Sequence, residues 1–175
     1  MKTLVSLIGV EPFRIGGNES FLKELSWQIQ PLGWRHVICT ISEPTPKVRA
    51  FLELPNVSFE TIPNVWLSDS AAVRAAARLF VRYHPSIVHL HFVGFISAYP
   101  WLARLFGAEK VFFTDQTSPP EQHIPVRAPL WKRLASRCVN WPLDEVICVS
   151  DYGRRCLLAT GVYPAGRVSW RAPLS

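Results

Sequence analysis

Leu4-Val5-Ser6-Leu7-Ile8-Gly9-Val10-Glu11-Pro12-Phe13-Arg14-Ile15-Gly16-Gly17-Asn18 is the stretch on which the fold turns. A short apolar run ends in a mixed loop with paired glycines. Beyond it, residues 18–30 set Phe21, Leu22, Leu25 and Ile29 at helical spacing. That is a strand, a glycine turn and a helix, with Asn18 suited to the N-cap. Pro31 and Gly33 stop the helix, and 37–41 reads as the second strand. The same alternation continues, with strands expected over 57–62, 87–90, 111–114 and 145–149. Helices are expected from Ser68 or Asp69 to Tyr83, over 95–106 and 128–139, and from Ser150 or Asp151 to Gly161. Pro100 must lie in the first turn of its helix or kink it. Val146-Ile147-Cys148-Val149 is apolar without period-two alternation, as in strands covered on both faces. The fold class is therefore α/β: a doubly wound, mostly parallel sheet with helices on both faces. Ligands bind such sheets beyond the carboxyl ends of the strands.

The composition agrees with that reading. A chain of 175 residues, 49% hydrophobic and 18% charged, suits one packed domain and not a disordered segment. Its 15 prolines fall mainly in connections, around Pro44 and Pro46 and from Pro119 to Pro129. The formal charge of +6 is a modest bias spread along the chain, denser from Arg127 to Arg137, and admits anionic partners: sugar nucleotides, phospholipids or nucleic acid. Cys39, Cys138, Cys148 and Cys156 have no metal-ligand or CxxC spacing, so reduced structural thiols in a cytoplasmic protein are expected. Residues 1–10 read as a buried strand, since charge follows at once and no small-x-small cleavage site appears. No segment approaches the roughly 18 apolar residues of a membrane span.

Four loops should gather at the binding edge: 11–18, 91–95, 115–124 and 150–154. Gly16 and Gly17 stand before a helix whose first N–H groups lack internal partners, so a phosphate can approach them; a tight turn explains the pair equally well. His89 and His91 alternate onto one side of their strand, and a third metal ligand is missing, so a hydrogen-bonding or loop-orienting role is expected. His36 and His84 read as structural or exposed. Asp115 can serve as a base or bind a sugar hydroxyl and Gln116 can donate and accept; a capped turn accounts for the same residues. Leu130, Trp131, Leu134, Cys138 and Trp141 lie near one helical face, beside Arg127, Lys132, Arg133 and Arg137. Such a helix can rest on an anionic membrane or turn its apolar face into the core, and the core reading is favoured. A nicotinamide enzyme or a serine hydrolase lacks support, since neither GxGxxG nor GxSxG occurs.

Taken together, the chain resembles the N-terminal domain of the family-4 glycosyltransferases, which have the GT-B architecture of two Rossmann-like domains. The resemblance rests on Gly16-Gly17-Asn18-Glu19, Gly33-Trp34-Arg35-His36-Val37, the run from His84 to His91, Val111 to Thr114, and Asp144 to Ser150. It implies a Rossmann-like sheet forming one half of GT-B, with residues 1–168 as the acceptor-side domain and 169–175 as the start of a linker or a truncated tail. It implies a retaining transfer of sugar from a nucleotide-sugar donor to a glycan or lipid-linked acceptor, without metal or cofactor. Gly16, Gly17 and Asn18 would meet the donor phosphate; His91, Thr114, Ser118 and Arg154 would line the acceptor site. Gln116 stands where the family commonly has histidine, which leaves Asp115 and Gln116 as the candidate catalytic pair. The family's nucleotide-binding half, with its Glu-x7-Glu pair, is expected beyond Ser175. The chain alone is therefore expected to be inactive, and a degenerate, non-catalytic binding module is the alternative. The resemblance gives no place to nucleic acid; the expected location is cytoplasmic, with peripheral contact at the inner face of a membrane left open.

Overall fold

Every residue of Thr3–Ile8 (β1) is buried, and such a strand belongs in the middle of a sheet with helices on both sides. The computed structural model, which describes residues 1–94, 96–116 and 125–170, places it there. Arg35–Thr40 (β2) pairs parallel on one flank and Ile87–His91 (β4) on the other, with Val5 opposite Val37 and Val88. Val57–Thr61 (β3) lies outside β2; Lys110–Asp115 (β5), Glu145–Cys148 (β6) and Val168–Ser169 (β7) follow β4 outward. The seven strands run in the order β3-β2-β1-β4-β5-β6-β7, all parallel. Chain order reverses between β1 and β4, so the loops leaving these neighbours diverge and open a crevice at their carboxyl ends.

Among the described residues, six α-helices make the crossovers: Gly17–Ile29 (α1), Pro46–Leu52 (α2), Ser70–Tyr83 (α3), Tyr99–Leu105 (α4), Leu130–Val139 (α5) and Asp151–Thr160 (α6). Side chains alternate across the sheet. Ile8 and Ile38 meet Leu22 of α1 and Val48 and Leu52 of α2 in the smaller core. Val5, Leu7, Val37, Val88 and Val111 meet Phe80 of α3, Tyr99 of α4 and Leu157 of α6 in the larger one. The fold is the doubly wound α/β sheet expected, with strictly parallel pairing.

Several local expectations change. The Pro44–Pro46 region is no plain connection: Thr45 accepts from the Val48 amide, Pro46 occupies a first-turn position where its missing N–H costs nothing, and α2 follows. Asn18 is inside α1, and Gly16 is the residue at its N-cap. Asp69, with its carboxylate 2.7 Å from the Ala72 amide, caps α3, and Ser150 caps α6. Pro100 sits in the first turn of α4, which begins at Tyr99. The sheet gains β7, so it reaches Ser169, one residue beyond the expected domain end. The largest reversal concerns α5: Leu130, Trp131, Leu134 and Trp141 are all more than half exposed, and within the helix only Ser136 is buried. Its apolar stripe faces outward.

The contact that opens the crevice is tight. The Gly9 amide donates to the His91 carbonyl at 2.9 Å. A Cβ at Gly9 would stand 2.1 Å from the Phe92 carbonyl oxygen, whereas one at Gly17 would meet nothing within 4 Å. Gly9→Ala should therefore cost about 3 kcal/mol by denaturant unfolding, as backbone must move to admit the methyl. Gly17→Ala should stay within about 0.5 kcal/mol of the parent. Similar losses at both positions would contradict this geometry.

Candidate functional site

At the carboxyl edge lies a cleft of about 1140 Å³, bounded by the loop after β1, the first turn of α1 and the ends of β5 and β6. Gly16, Gly17, Asn18 and Glu19 form one wall, and Thr114, Gln116, Ile147, Cys148 and Val149 form the other. The first turn of α1 is only half capped. Glu19 returns its carboxylate to the Gly16 amide at 2.9 Å, but Gly16 has no side chain to answer it. The amides of Gly17, Asn18 and Glu19 therefore keep the unpaired character of a helix start, where the dipole favours an anion. Arg14 adds a cation to the same wall.

Across the cleft, the Gln116 amide nitrogen lies 3.5 Å from Asn18 Oδ1 and 3.5 Å from His91 Nδ1. These long contacts tie the glycine loop to the ends of β4 and β5. Thr114 lines the cleft and its hydroxyl lies 2.7 Å from His89 Nε2. His91 is fully buried beneath this surface, its ring centroid 4.0 Å from that of His89 and the two planes tilted by 40°. The expected alternation of the two histidines onto one face holds, and among the described residues no three His, Cys, Asp or Glu side chains come together in a metal-holding group. Phe21, assigned by its spacing to the apolar face of α1, is exposed at the cleft and packs edge-on against His89.

Other expected site residues fall elsewhere. Asp115 follows Thr114 on the strand, so its side chain passes to the opposite sheet face, where it is buried. Burial and then the Asp115 charge raise the Tyr163 hydroxyl, and the same two causes push the Cys148 thiol up to about 11. Asp115 does not line the cleft. Arg154 is held within α6 by Asp151 at 2.8 Å and does not line it either. Ser118 lies outside the described residues. The aromatic rim of Phe13, Phe21 and Phe92 was missed. The signal for Phe13 and Phe92 was the insertion of large apolar residues in segments otherwise read as polar loops, whereas Phe21 was read as part of the apolar face of its helix.

His36 is wholly buried and not at the surface. Its Nδ1 lies 2.6 Å from Ser26 Oγ and its Nε2 lies 2.8 Å from Ser6 Oγ. Ser26 donates its hydroxyl proton to the Leu22 carbonyl at 2.7 Å, so it must accept from His36 Nδ1–H. Ser6 then donates to Nε2, and the neutral ring is satisfied on both sides. Ser26, and not the more exposed Leu25, is the deep position of α1.

Residues 15–170 match the family model described as Glycosyltransferase Family 4. The chain belongs to that family. A search of curated proteins finds no match. Among solved structures, a glycosyltransferase from Rickettsia africae superposes with a TM-score of 0.67 at 16% identity over 97% of this chain and 42% of its own. The Anabaena protein Alr3699/HepE in complex with UDP gives 0.61 at 12% identity, over 97% of this chain and 43% of that one. The lipopolysaccharide outer core galactosyltransferase WaaB gives 0.58 at 16% identity, over 97% and 44%. The chain thus spans less than half the length of each, and at these identities the likeness is one of fold: a Rossmann-like half of the GT-B architecture. Glu11 and Glu19 happen to have the Glu-x7-Glu spacing, but they bracket the glycine loop and Glu19 is occupied as a cap.

The three histidines under α1 couple this site to pH. Desolvation lowers His36 to about 3, helped by the His89 charge, and lowers His89 to about 4. His91 falls well below 6.5 for the same reason, with His89 and His36 adding to it. The unfolded chain takes up these protons near pH 6.5 and the folded chain does not, so stability falls as pH drops below that value. Between about pH 7.5 and 5.5 each ring should remove about 1.4 kcal/mol, about 4 kcal/mol in all, measured by denaturant unfolding. A loss under about 1 kcal/mol would contradict the neutral, buried layer.

Proposed function

We propose that the chain is the acceptor-side part of a retaining glycosyltransferase that moves a sugar from a nucleotide-sugar donor to a glycan or lipid-linked acceptor. One observation carries the reading: the open, half-capped start of α1 faces a large cleft at the topological switch point. A diphosphate leaving group at Gly16, Gly17 and Asn18 would find room beside the two glycines and meet the N–H donors of Gly17 and Asn18 and the positive end of the helix dipole. Stabilising its developing charge there is an electrostatic contribution to catalysis. Thr114 and Gln116 line the opposite wall and in this reading would hydrogen-bond acceptor hydroxyls, with His91 beneath Gln116 as a support. Ser118 keeps its expected acceptor role in this reading. Asp115 and Arg154 take the expected acceptor or base roles only if their side chains leave their present partners. No metal or cofactor enters the reading, and no helix among the described residues is long and apolar enough to cross a membrane. A cytoplasmic site with peripheral membrane contact fits a lipid-linked acceptor.

A second reading, a non-catalytic binding module of the same fold, is favoured by Gln116, which cannot titrate, and by the burial of Asp115 away from the cleft. The transferase reading predicts that calorimetry with UDP-glucose gives a Kd of about 1 mM or weaker for the chain alone, since only one wall of the donor site is on it. Micromolar binding would contradict a shared donor site. Pairing with a nucleotide-binding half of a family member should restore transfer; an assembled but inactive pair would favour the binding module.

A further inference from the structure

The outward stripe of α5 is explained by neither core. At 100° per residue, Leu130, Leu134, Cys138 and Trp131 fall on one arc, and the buried residue Ser136 lies well away from it. Trp141 follows the helix at 67% exposure, and Trp131 is 66% exposed. Trp101 of α4 adjoins the same surface, its indole N–H donating to the Cys138 carbonyl at 3.2 Å, and Leu105 lies one turn further along α4. A helix of a water-soluble face would invert this arrangement.

Charge decides what the stripe faces. Residues 125–143 contain Arg127, Lys132, Arg133 and Arg137 and no acidic residue. Among the described residues none of the four has an ion-pair partner. Arg133 is half-buried, its guanidinium turned in beside Gly161, so the exposed cations of this stretch are Arg127, Lys132 and Arg137. The next acidic residue, Asp144, is taken by Arg104 at 2.6 Å and Lys110 at 3.1 Å. Outward tryptophan and leucine flanked by cations that have no ion-pair partner among the described residues suit an interface of hydrocarbon beneath anionic headgroups. A second copy of the chain would set these cations against their like.

We propose that the α5 face, with Trp101 and Trp141, seats the chain on an anionic lipid surface. This deepens the peripheral-membrane part of the functional reading and involves no sugar transfer, so either can fail without the other. The test is co-sedimentation of the chain with vesicles of phosphatidylcholine, alone or mixed with phosphatidylglycerol. Binding should appear with the mixed vesicles, be at least about tenfold weaker without phosphatidylglycerol, and decline with added salt. Trp131→Ala and Leu134→Ser should each lower the partition coefficient about tenfold. Lys132→Gln and Arg137→Gln should each lower it about fivefold. All four residues are exposed, so circular dichroism should be unchanged. Lys47→Gln and Arg49→Gln on α2 should have no effect. Absent binding, equal binding to both vesicle types, or equal loss from the α2 changes would overturn the proposal. A dimer in sedimentation velocity that Trp131→Ala dissociates, with no vesicle binding, would assign the face to a second copy instead.

Discussion

Where β1 and β4 part, the Gly9 amide reaches the His91 carbonyl, and the Phe92 carbonyl oxygen occupies the space where a side chain at Gly9 would stand. The rest of the site depends on this approach. Two parallel neighbours can be paired to their last residues, yet their exits must diverge because β1 leads to α1 on one face of the sheet and β4 to α4 on the other. The close backbone contact holds the strands together up to the point of divergence. Phe92, at φ 54°, then turns the β4 exit aside, an unusual conformation for a bulky residue. The crevice that results is framed by α1 and the end of β5.

Beneath it lies a polar layer in what is otherwise an apolar interior. Ser6, Ser26, His36, His89, His91 and Thr114 occupy the sheet face covered by α1, and most of their polar atoms are paired. A buried polar group without a partner costs far more than a hydrogen bond returns, so such a layer specifies one seating of the helix. Among the described residues the side-chain NH₂ of Asn18 and Nε2 of His91 have no partner, and both belong to the part of the layer nearest the cleft. The positioning of the glycine loop is thus inherited from a hydrogen-bonded helix–sheet contact, while the stability of the fold is inherited from the larger apolar core on the other face.

Much of this was legible in the sequence because buried parallel strands write themselves as uninterrupted apolar runs, and glycine and proline mark their ends. The strands, the glycine loop and the convergence of loop ends came from those signals. The side of the sheet taken by Asp115 was also available: it follows Thr114 on a strand, and period two sends neighbours to opposite faces. Treating it as a loop residue concealed that. Ser26 was hidden because a hydroxyl at a core position carries no hydrophobic signal; only its pairing with His36, ten residues later, explains it. Pro46 was misleading because proline suits a connection and a first helical turn equally. The orientation of α5 could not be read at all, since an amphipathic pattern states that a helix has two faces and not which one meets the protein.

The central claim is that the open start of α1 is an anion cradle held ready by the strands behind it. Backbone ¹⁵N–¹H resonances of the chain, followed during addition of UDP, test it most directly because weak binding is still visible there. The account predicts that the amides of Gly16, Gly17, Asn18 and Glu19 shift most, and that Gly17→Glu, which places a negative charge in open space, suppresses the response without unfolding the chain. Shifts that avoid these four amides, or that persist unchanged in Gly17→Glu, would contradict it.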